Sequence, residues 1–340
     1  MSSLATVALR NDLSACLDGV APNAPIIVGC SGGPDSLALV SVAVWVGAHQ
    51  GRRVISATIN HQLQEVAAEV AVQAQVASKA LGVDEAIVIP VNVELGQGLE
   101  AGARAARLAA LEQLAAEKQA GAVLLGHTLD DQAETVLLRL SRGAGARSLG
   151  AMRTCSGIWH RPFLAQSRSL VHEVAAEALS PLGLEPWSDP HNQSRDFARV
   201  RIRALLAEIT AELGPGVVMG LIRSAELLRD DDDVLSAWSE GDFAEKVNTQ
   251  DGQASVAIAD LTELPRAVRT RVIRLMFEDV AGVDAVSSAL TFEQVRTIDS
   301  LIVNWHGQGA VDLPGGVQAT REYERLTLLR GKSRHEHREQ

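Results

Sequence analysis

Ile26-Ile27-Val28-Gly29-Cys30-Ser31-Gly32-Gly33-Pro34-Asp35-Ser36 runs from an uninterrupted apolar segment into a Ser/Gly turn and on toward a helix beginning at Leu37. An apolar run without polar alternation reads as a strand covered on both faces. Gly32 and Gly33 allow turns and close backbone approaches that a side chain forbids. Pro34 suits a first helical turn, where its missing N–H costs nothing. The free N–H groups of such a helix end form an anion site. Ser31 and Ser36 can add hydroxyl donors, and Asp35 can reach a phosphate-bound Mg2+. The pattern is neither GxxxxGK[ST] nor GxGxxG, so it lacks the lysine of Walker-type phosphoryl transfer and the fingerprint of a dinucleotide site. A Ser/Gly turn that merely opens a helix is the plain alternative.

Outward from this turn, short apolar runs alternate with helical stretches. Residues 54–60 (VISATIN), 86–91 (AIVIPV) and 122–126 (AVLLG) read as further strands. Residues 65–80 and 99–119 are Ala-rich and free of proline, and read as helices. The alternation implies an α/β fold, a parallel sheet with helices on both faces, and a ligand at the carboxyl ends of the strands. Past about residue 205 the pattern changes. Arg229–Asp233 (RDDDD) reads as solvated linker helix, while Val268, Val272, Leu275 and Met276 mark one amphipathic helix, and Phe292, Val295 and Ile302 another. Leu313-Pro314-Gly315-Gly316 is a turn signal, with a short hairpin expected through Leu329. The expected organisation is a catalytic domain over 1–207, a linker helix over 208–240, a small mainly helical domain with a short hairpin over 241–330, and a disordered tail over 331–340.

The 340 residues are 46% hydrophobic and 21% charged, which describes a globular chain with ample core rather than a disordered one. The longest charge-free apolar run, 37–48, is too short for a membrane span, and Arg10, Asp12 and Asp18 leave no signal-peptide stretch. Cys16, Cys30 and Cys155 are widely spaced and form no CxxC, metal quartet or disulfide framework, which suits a reducing cytoplasm. The nine histidines form no HExxH or HxxxH pair. Net charge is −11, yet it is unevenly shared: −2 over 1–205 and −9 over 206–340. No acid lies between Glu134 and Glu173, while Arg139, Arg142, Arg147, Arg153, Arg161 and Arg168 do, and Arg195, Arg199, Arg201 and Arg203 follow. A local basic surface on an acidic chain permits steering of a polyanion, although ordinary solvated surface has the same composition. In the acidic half only isolated basic spots, such as 266–274, are expected to touch one.

Gly126-His127-Thr128-Leu129-Asp130-Asp131-Gln132-Ala133-Glu134-Thr135 follows the fourth strand run. Asp131 and Glu134 share a helix face and offer two carboxylates to an ammonium group or a metal. Thr128 with Asp131 equally forms a capping box, and a lone His127 is as well explained by structure as by catalysis. In combination, the Ser-Gly-Gly-x-Asp-Ser turn resembles the PP-loop of N-type ATP pyrophosphatases, which cleave ATP to AMP and pyrophosphate. The His-x-x-Asp-Asp-x-x-Glu-Thr run, continuing as VLLRLSRGAG, is similar to the signature of the tRNA(Ile)-lysidine synthase family. Asn60-His61, Glu100-Ala101, Ala103-Arg104, Arg107, Arg161-Pro162-Phe163-Leu164, Trp187, Asp189, Asn192 and Arg199-x-Arg201-Ile202-Arg203 match further family segments, over about 24–207. Gln62, Gln64 and Val200 depart from the family pattern.

The resemblance implies ATP-dependent attachment of free lysine to C2 of the wobble cytidine of the isoleucine tRNA with a CAU anticodon, through an adenylated base. It implies that Ser31, Gly32, Gly33, Pro34, Asp35 and Ser36 bind ATP, with Asp35 on Mg2+. It places His127 at the nucleotide, Asp131 and Glu134 on the lysine ammonium, and Arg107 on the lysine carboxylate. Asp35, His127, Asp131 and Glu134 are then the catalytic set, and Arg142, Arg161, Arg199, Arg201 and Arg203 the RNA-binding set, with the Arg139–Arg168 stretch also on tRNA phosphates. The oligomeric state stays open, a homodimer included. A PP-loop tRNA thiolase, which needs a sulfur-carrying cysteine, and a nucleotide- or RNA-binding protein without catalysis are the alternatives; Cys155→Ser separates the first from lysine ligation.

Overall fold

Ile26, Ile27 and Val28 are all completely buried, which puts strand β1 (Ile26–Gly29) in mid-sheet with helices on either side. The computed structural model describes residues 2–61, 67–92, 99–188, 198–282 and 290–331, and for 99–101 the backbone alone. The chain divides into two compact units, Met1–Leu227 and Leu228–Gln340.

The first unit opens with helix α1 (Leu4–Cys16), capped by the Ser3 hydroxyl, before β1. Helix α2 (Pro34–Gln50) follows, then β2 (Val54–Asn60), α3 (Ala67–Leu81), β3 (Glu85–Pro90), α4 (Leu99–Lys118) and β4 (Ala122–Leu124). Beyond these come α5 (Leu129–Leu140), the short α6 (Ala146–Leu149), β5 (Cys155–Ser156), β6 (Trp159–His160), α7 (Arg168–Leu179) and α8 (Ala198–Leu213). Helix α9 (Gly216–Lys246) contains the division between the units. The expected linker helix over 208–240 therefore falls on two helices, broken at Gly214-Pro215 because proline cannot continue a helix.

The sheet has the order β3-β2-β1-β4-β6-β5, parallel throughout except for β5 against β6. Ile26 and Val28 pack with Leu9, Leu13, Val40 and Val171 on one face. Ile27 packs with Ile55, Leu111, Leu114 and Val123 on the other. Each fully buried aliphatic side chain of this kind contributes about 1.5–3 kcal/mol. The chain leaves β1 toward β2 and β3 on one side, and β4 and β6 lie on the other, so β1/β4 is the topological switch point where open α/β sheets bind ligands. The expected strands are present with ends moved by one or two residues, and α2 begins at Pro34 rather than Leu37, with the proline in its first turn.

The second unit holds β7 (Asn248–Gln250), β8 (Gln253–Ala257), α10 (Ile258–Thr262), α11 (Arg266–Ala281), α12 (Phe292–Val303), β9 (Val311–Asp312), β10 (Val317–Glu322) and β11 (Arg325–Arg330). The strands form one antiparallel sheet, β7-β8-β11-β10-β9, so the expected short hairpin is only part of a five-stranded layer. Its hairpin turns at Tyr323 (φ 49°), whereas the Pro314-Gly315-Gly316 turn joins β9 to β10. Val268, Val272, Met276 and Ile298 close the core against Val256, Leu326 and Leu328. The basic run 266–274 is largely engaged internally. Arg269 donates to Asp299 at 2.6 Å and to the Leu264 carbonyl oxygen, Arg271 to Asp232 at 2.5 Å, and Arg274 to the Leu290 carbonyl oxygen. Asp232 of the acidic run is accordingly buried rather than solvated. No single helix among the described residues is long and apolar enough to cross a membrane. Residues 332–340 of the expected tail lie outside the described residues, as do Gln62, Gln64, Asp189, Asn192 and Arg195.

Candidate active site

The loop after β1 is built by its own serines and glycines. Gly32 adopts φ 81°, a conformation costly for other residues. Its carbonyl oxygen accepts the Trp187 N–H at 2.9 Å, which ties the loop to the segment after α7. Ser36 accepts the Ser31 N–H at 3.1 Å and donates to the Gly33 carbonyl oxygen at 2.9 Å. Its buried hydroxyl thus braces the loop from inside, not facing outward as a phosphate donor. Gly33 caps α2 without any side-chain acceptor, and Pro34 holds the first turn. The N–H groups of this end and the exposed Ser31 side chain remain for an anion.

The second half of the site comes from the end of β4. A Cβ on Gly126 would lie 2.9 Å from the Asp35 carbonyl oxygen and 3.1 Å from its carbonyl carbon. Only glycine lets the two loops at the switch point touch. Directly after it, Thr128 caps α5 with a full capping box: Asp131 Oδ2 accepts the Thr128 N–H at 2.7 Å and its hydroxyl at 2.9 Å. The structural and functional readings of Asp131 therefore coexist, because Oδ1 of the same carboxylate faces elsewhere.

That face is occupied by two guanidinium groups. Arg168, the first residue of α7, donates to Asp131 Oδ1 and to Glu134 Oε1, both at 2.9 Å. Arg203 on α8 donates to Glu134 Oε1 at 2.8 Å, with a longer contact of 3.4 Å to Oε2. Burial alone would raise the Asp131 carboxyl, but Arg168 and the Thr128 donors outweigh it and hold it below the usual range. Arg203, expected on an RNA-facing surface, instead turns back to the carboxylate pair. Arg168 does the same.

Asp35 lies beside His172 of α7, with Oδ1 3.1 Å from Nε2. Burial, with Asp131 adding to it, pushes the Asp35 carboxyl up against the opposing pull of His172. Its Oδ1 is covered and accepts no well-formed hydrogen bond among the described residues. A half-buried carboxylate, destabilised by a second carboxylate and with one oxygen short of donors, fits an oxygen-ligated cation such as Mg2+. Sequence reasoning missed His172 and the role of Arg168. Both stand on a helix remote in sequence from the loop, with no local motif to mark them.

A basic group lies on the other side of His127. Burial, with Arg107, Arg161 and Arg104 adding to it against Asp131, drives the His127 imidazole down to about 3, so it is neutral at physiological pH. Burial, then Arg104 and Arg199, brings Arg107 down to about 10, still charged in the same range. Burial and Arg107 likewise lower His61. His61 Nδ1, His127 Nδ1, Arg107 Nε and Arg161 Nε are all covered, with no hydrogen-bond partner among the described residues. Arg107, Arg161 and His127, named from sequence, thus belong to one electropositive recess, with Arg104 and Arg199 contributing to its field. Arg142, Arg199 and Arg201 are exposed. Cys30, the cysteine nearest the loop, is buried with Sγ 3.8 Å from the Ser36 hydroxyl oxygen and 3.6 Å from that of Ser78. It offers no accessible thiol for sulfur transfer.

Residues 6–209 match the family model of a PP-loop domain, and residues 257–327 match that of the TilS substrate binding domain. A tRNA(Ile)-lysidine synthase from Thermobifida fusca is 46% identical over 87% of this chain and 89% of its own length. One from Leifsonia xyli is 41% identical over 91% of each chain. Among solved structures, a U34-tRNA thiolase from Methanococcus maripaludis superposes with a TM-score of 0.55 at 18% identity, covering 66% of this chain and 79% of that one; the likeness is one of fold. With the PP-loop turn, the Asp131–Glu134 pair and the second-unit match all on one chain, this protein belongs to the tRNA(Ile)-lysidine synthase family.

Proposed function

We propose that this enzyme ligates free lysine to C2 of the wobble cytidine in the isoleucine tRNA with a CAU anticodon, consuming ATP to AMP and pyrophosphate. The observation that carries the reading is the contact of Gly126 with the Asp35 backbone, which sets an anion-binding helix end beside a carboxylate pair at one switch point. The C2 oxygen of cytosine is a poor leaving group. Its attack on the α-phosphate of ATP turns it into the oxygen of AMP, and the lysine amine then displaces AMP at C2. The N–H groups of Gly32 and Gly33, with the Ser31 hydroxyl, receive the leaving pyrophosphate. Asp35 holds Mg2+, which when bound offsets phosphate charge.

Neutral His127 serves as a hydrogen-bond donor toward the reacting phosphate, a role that needs no charge change. Asp131, held strongly ionised, anchors the lysine ammonium and is a weak base for its proton. For that anchoring, the amine competes with Arg168 at Asp131, and with Arg168 and Arg203 at Glu134, so lysine entry exchanges one cation for another on the same oxygens. Arg107 receives the lysine carboxylate, a planar bidentate match; its covered Nε without a partner among the described residues supports this role. Arg142, Arg199 and Arg201 meet tRNA phosphates from the exposed side, and Arg161 from the recess. These substrates meet in the cytoplasm, where the reading places the enzyme.

The test is incorporation of labelled lysine into an unmodified isoleucine tRNA transcript with a CAU anticodon, beside an elongator methionine tRNA with the same anticodon. Label on the isoleucine transcript alone is expected. AMP and pyrophosphate formed without label would keep the adenylation and refute lysine as the nucleophile.

A further inference from the structure

Two cysteines without any sequence motif meet a histidine outside the active site. Cys16 ends α1, and Cys155 and His160 face each other across the β5–β6 pair, where they are direct register partners. The three ligand atoms form a nearly equilateral triangle: Cys16 Sγ to Cys155 Sγ 3.6 Å, and each sulfur 3.4 Å from His160 Nδ1. With zinc–sulfur bonds of about 2.3 Å and zinc–nitrogen bonds of about 2.05 Å, a tetrahedral site has S···S edges of about 3.8 Å and S···N edges of about 3.6 Å. All three observed edges agree with these to within about 0.2 Å.

We propose that Cys16, Cys155 and His160 bind a zinc-type divalent cation at three corners of a tetrahedral site. Two thiolates and an imidazole select a borderline-soft ion over Mg2+ or Ca2+, which favour oxygen donors. The fourth position is taken by water, since no further His, Cys, Asp or Glu joins the group among the described residues. Cys155 is exposed and gives the ion its entry, while Cys16 and His160 are buried and fix the floor of the site. Loading releases one proton from each thiol to solvent. It also requires the imidazole proton at Nε2, so Nδ1, now 3.0 Å from the Cys16 carbonyl oxygen, turns its lone pair to the metal. The Arg161 N–H donates to the Thr154 carbonyl oxygen at 2.7 Å, which closes the β5–β6 pair just beyond Cys155 and His160. The metal thereby pins the β5–β6 pair, and the Arg161 that follows it into the electropositive recess, onto the end of α1.

The test uses the full chain, purified under reducing conditions and stripped of metal by a chelator, then titrated with Co2+ and back-titrated with Zn2+. One Co2+ per chain is expected, with thiolate-to-cobalt charge-transfer absorption, intense tetrahedral visible bands, and displacement by one equivalent of Zn2+. Cys155→Ser, at an exposed position, should keep the wild-type circular dichroism and thermal unfolding without metal, and weaken Co2+ binding by at least about tenfold. His160→Gln should weaken it similarly. Co2+ bound without charge-transfer bands, binding unchanged in Cys155→Ser, or reduced protein that takes up no Co2+ and instead forms a Cys16–Cys155 disulfide in air would each overturn the proposal.

Discussion

Gly126 is the residue on which the meeting of the two loops depends, because its missing side chain is the space in which the Asp35 peptide lies. Gly126→Ala is expected to cost about 1–3 kcal/mol in stability, the range for overpacking a tight contact. It should lower AMP formation more than the unfolding midpoint alone explains; denaturant unfolding and a pyrophosphate-release assay measure the two effects. His127 gives a second prediction at this scale. Its imidazole titrates near 6.5 when unfolded and at about 3 in the folded protein, so only the unfolded chain binds this proton between those values. The stability His127 contributes is full above pH 6.5 and is lost as pH falls toward 3, by at most about 1.4 kcal/mol per pH unit. Urea unfolding at pH 5 and pH 7 should show a smaller pH effect in His127→Asn than in the wild type. The family resemblance named His127, but its neutrality was not legible, because that follows from cover and from arginines 20–34 positions away in the chain.

At the scale of elements, α5 begins where β4 ends, and its first turn has two tasks on one carboxylate. Asp131 closes the capping box through Oδ2 and holds Arg168 through Oδ1. Thr128→Ala should cost about 1–2 kcal/mol through loss of the cap, whereas Thr128→Ser keeps most of it. Lysine KM should rise in Thr128→Ala as Asp131 loses its anchor, and a steady-state assay with lysine varied reads that change. In the second unit, α11 and α12 are joined by Arg269 and Asp299, both less than a tenth exposed and 2.6 Å apart. Removing the buried cation alone, Arg269→Ala, leaves the Asp299 carboxylate only the exposed Arg266 at 3.7 Å and should cost about 3 kcal/mol. The double replacement Arg269→Met with Asp299→Leu should recover most of that loss, as read by denaturant unfolding. The amphipathic spacing of both helices was visible in sequence. This pair was not, because an arginine on an otherwise apolar face carries no mark of its partner.

For the whole molecule, a net charge of −11 coexists with a basic field around His127 and Arg107, formed by arginines of α4 and α8 and by Arg161 just after β6. Binding of tRNA should therefore weaken steeply with salt despite the acidic chain. Arg142→Ala, at an exposed position, should lessen the slope of log affinity against log salt by about 0.7–0.9, the share of one phosphate contact. A filter-binding series from low to high salt checks this, and an unchanged slope would remove Arg142 from the interface. The sequence by itself determined the strand-turn-helix at Ile26–Ser36, the capped start of α5 and the parallel sheet, since turn chemistry, capping and apolar periodicity act between neighbours. Asp131 and Glu134 were readable as a pair from their shared helix face, whereas Arg107 was named only through the family resemblance. Tertiary structure alone decided that Arg168 and Arg203 hold Asp131 and Glu134, that His172 faces Asp35, and that Cys16 meets Cys155 and His160. Strands of two residues, such as β5 and β6, are too short to show a period, and the partners they align lie up to 144 positions apart. Such pairings arise only when the sheet closes and its helices dock, through burial summed over the core rather than through any local preference.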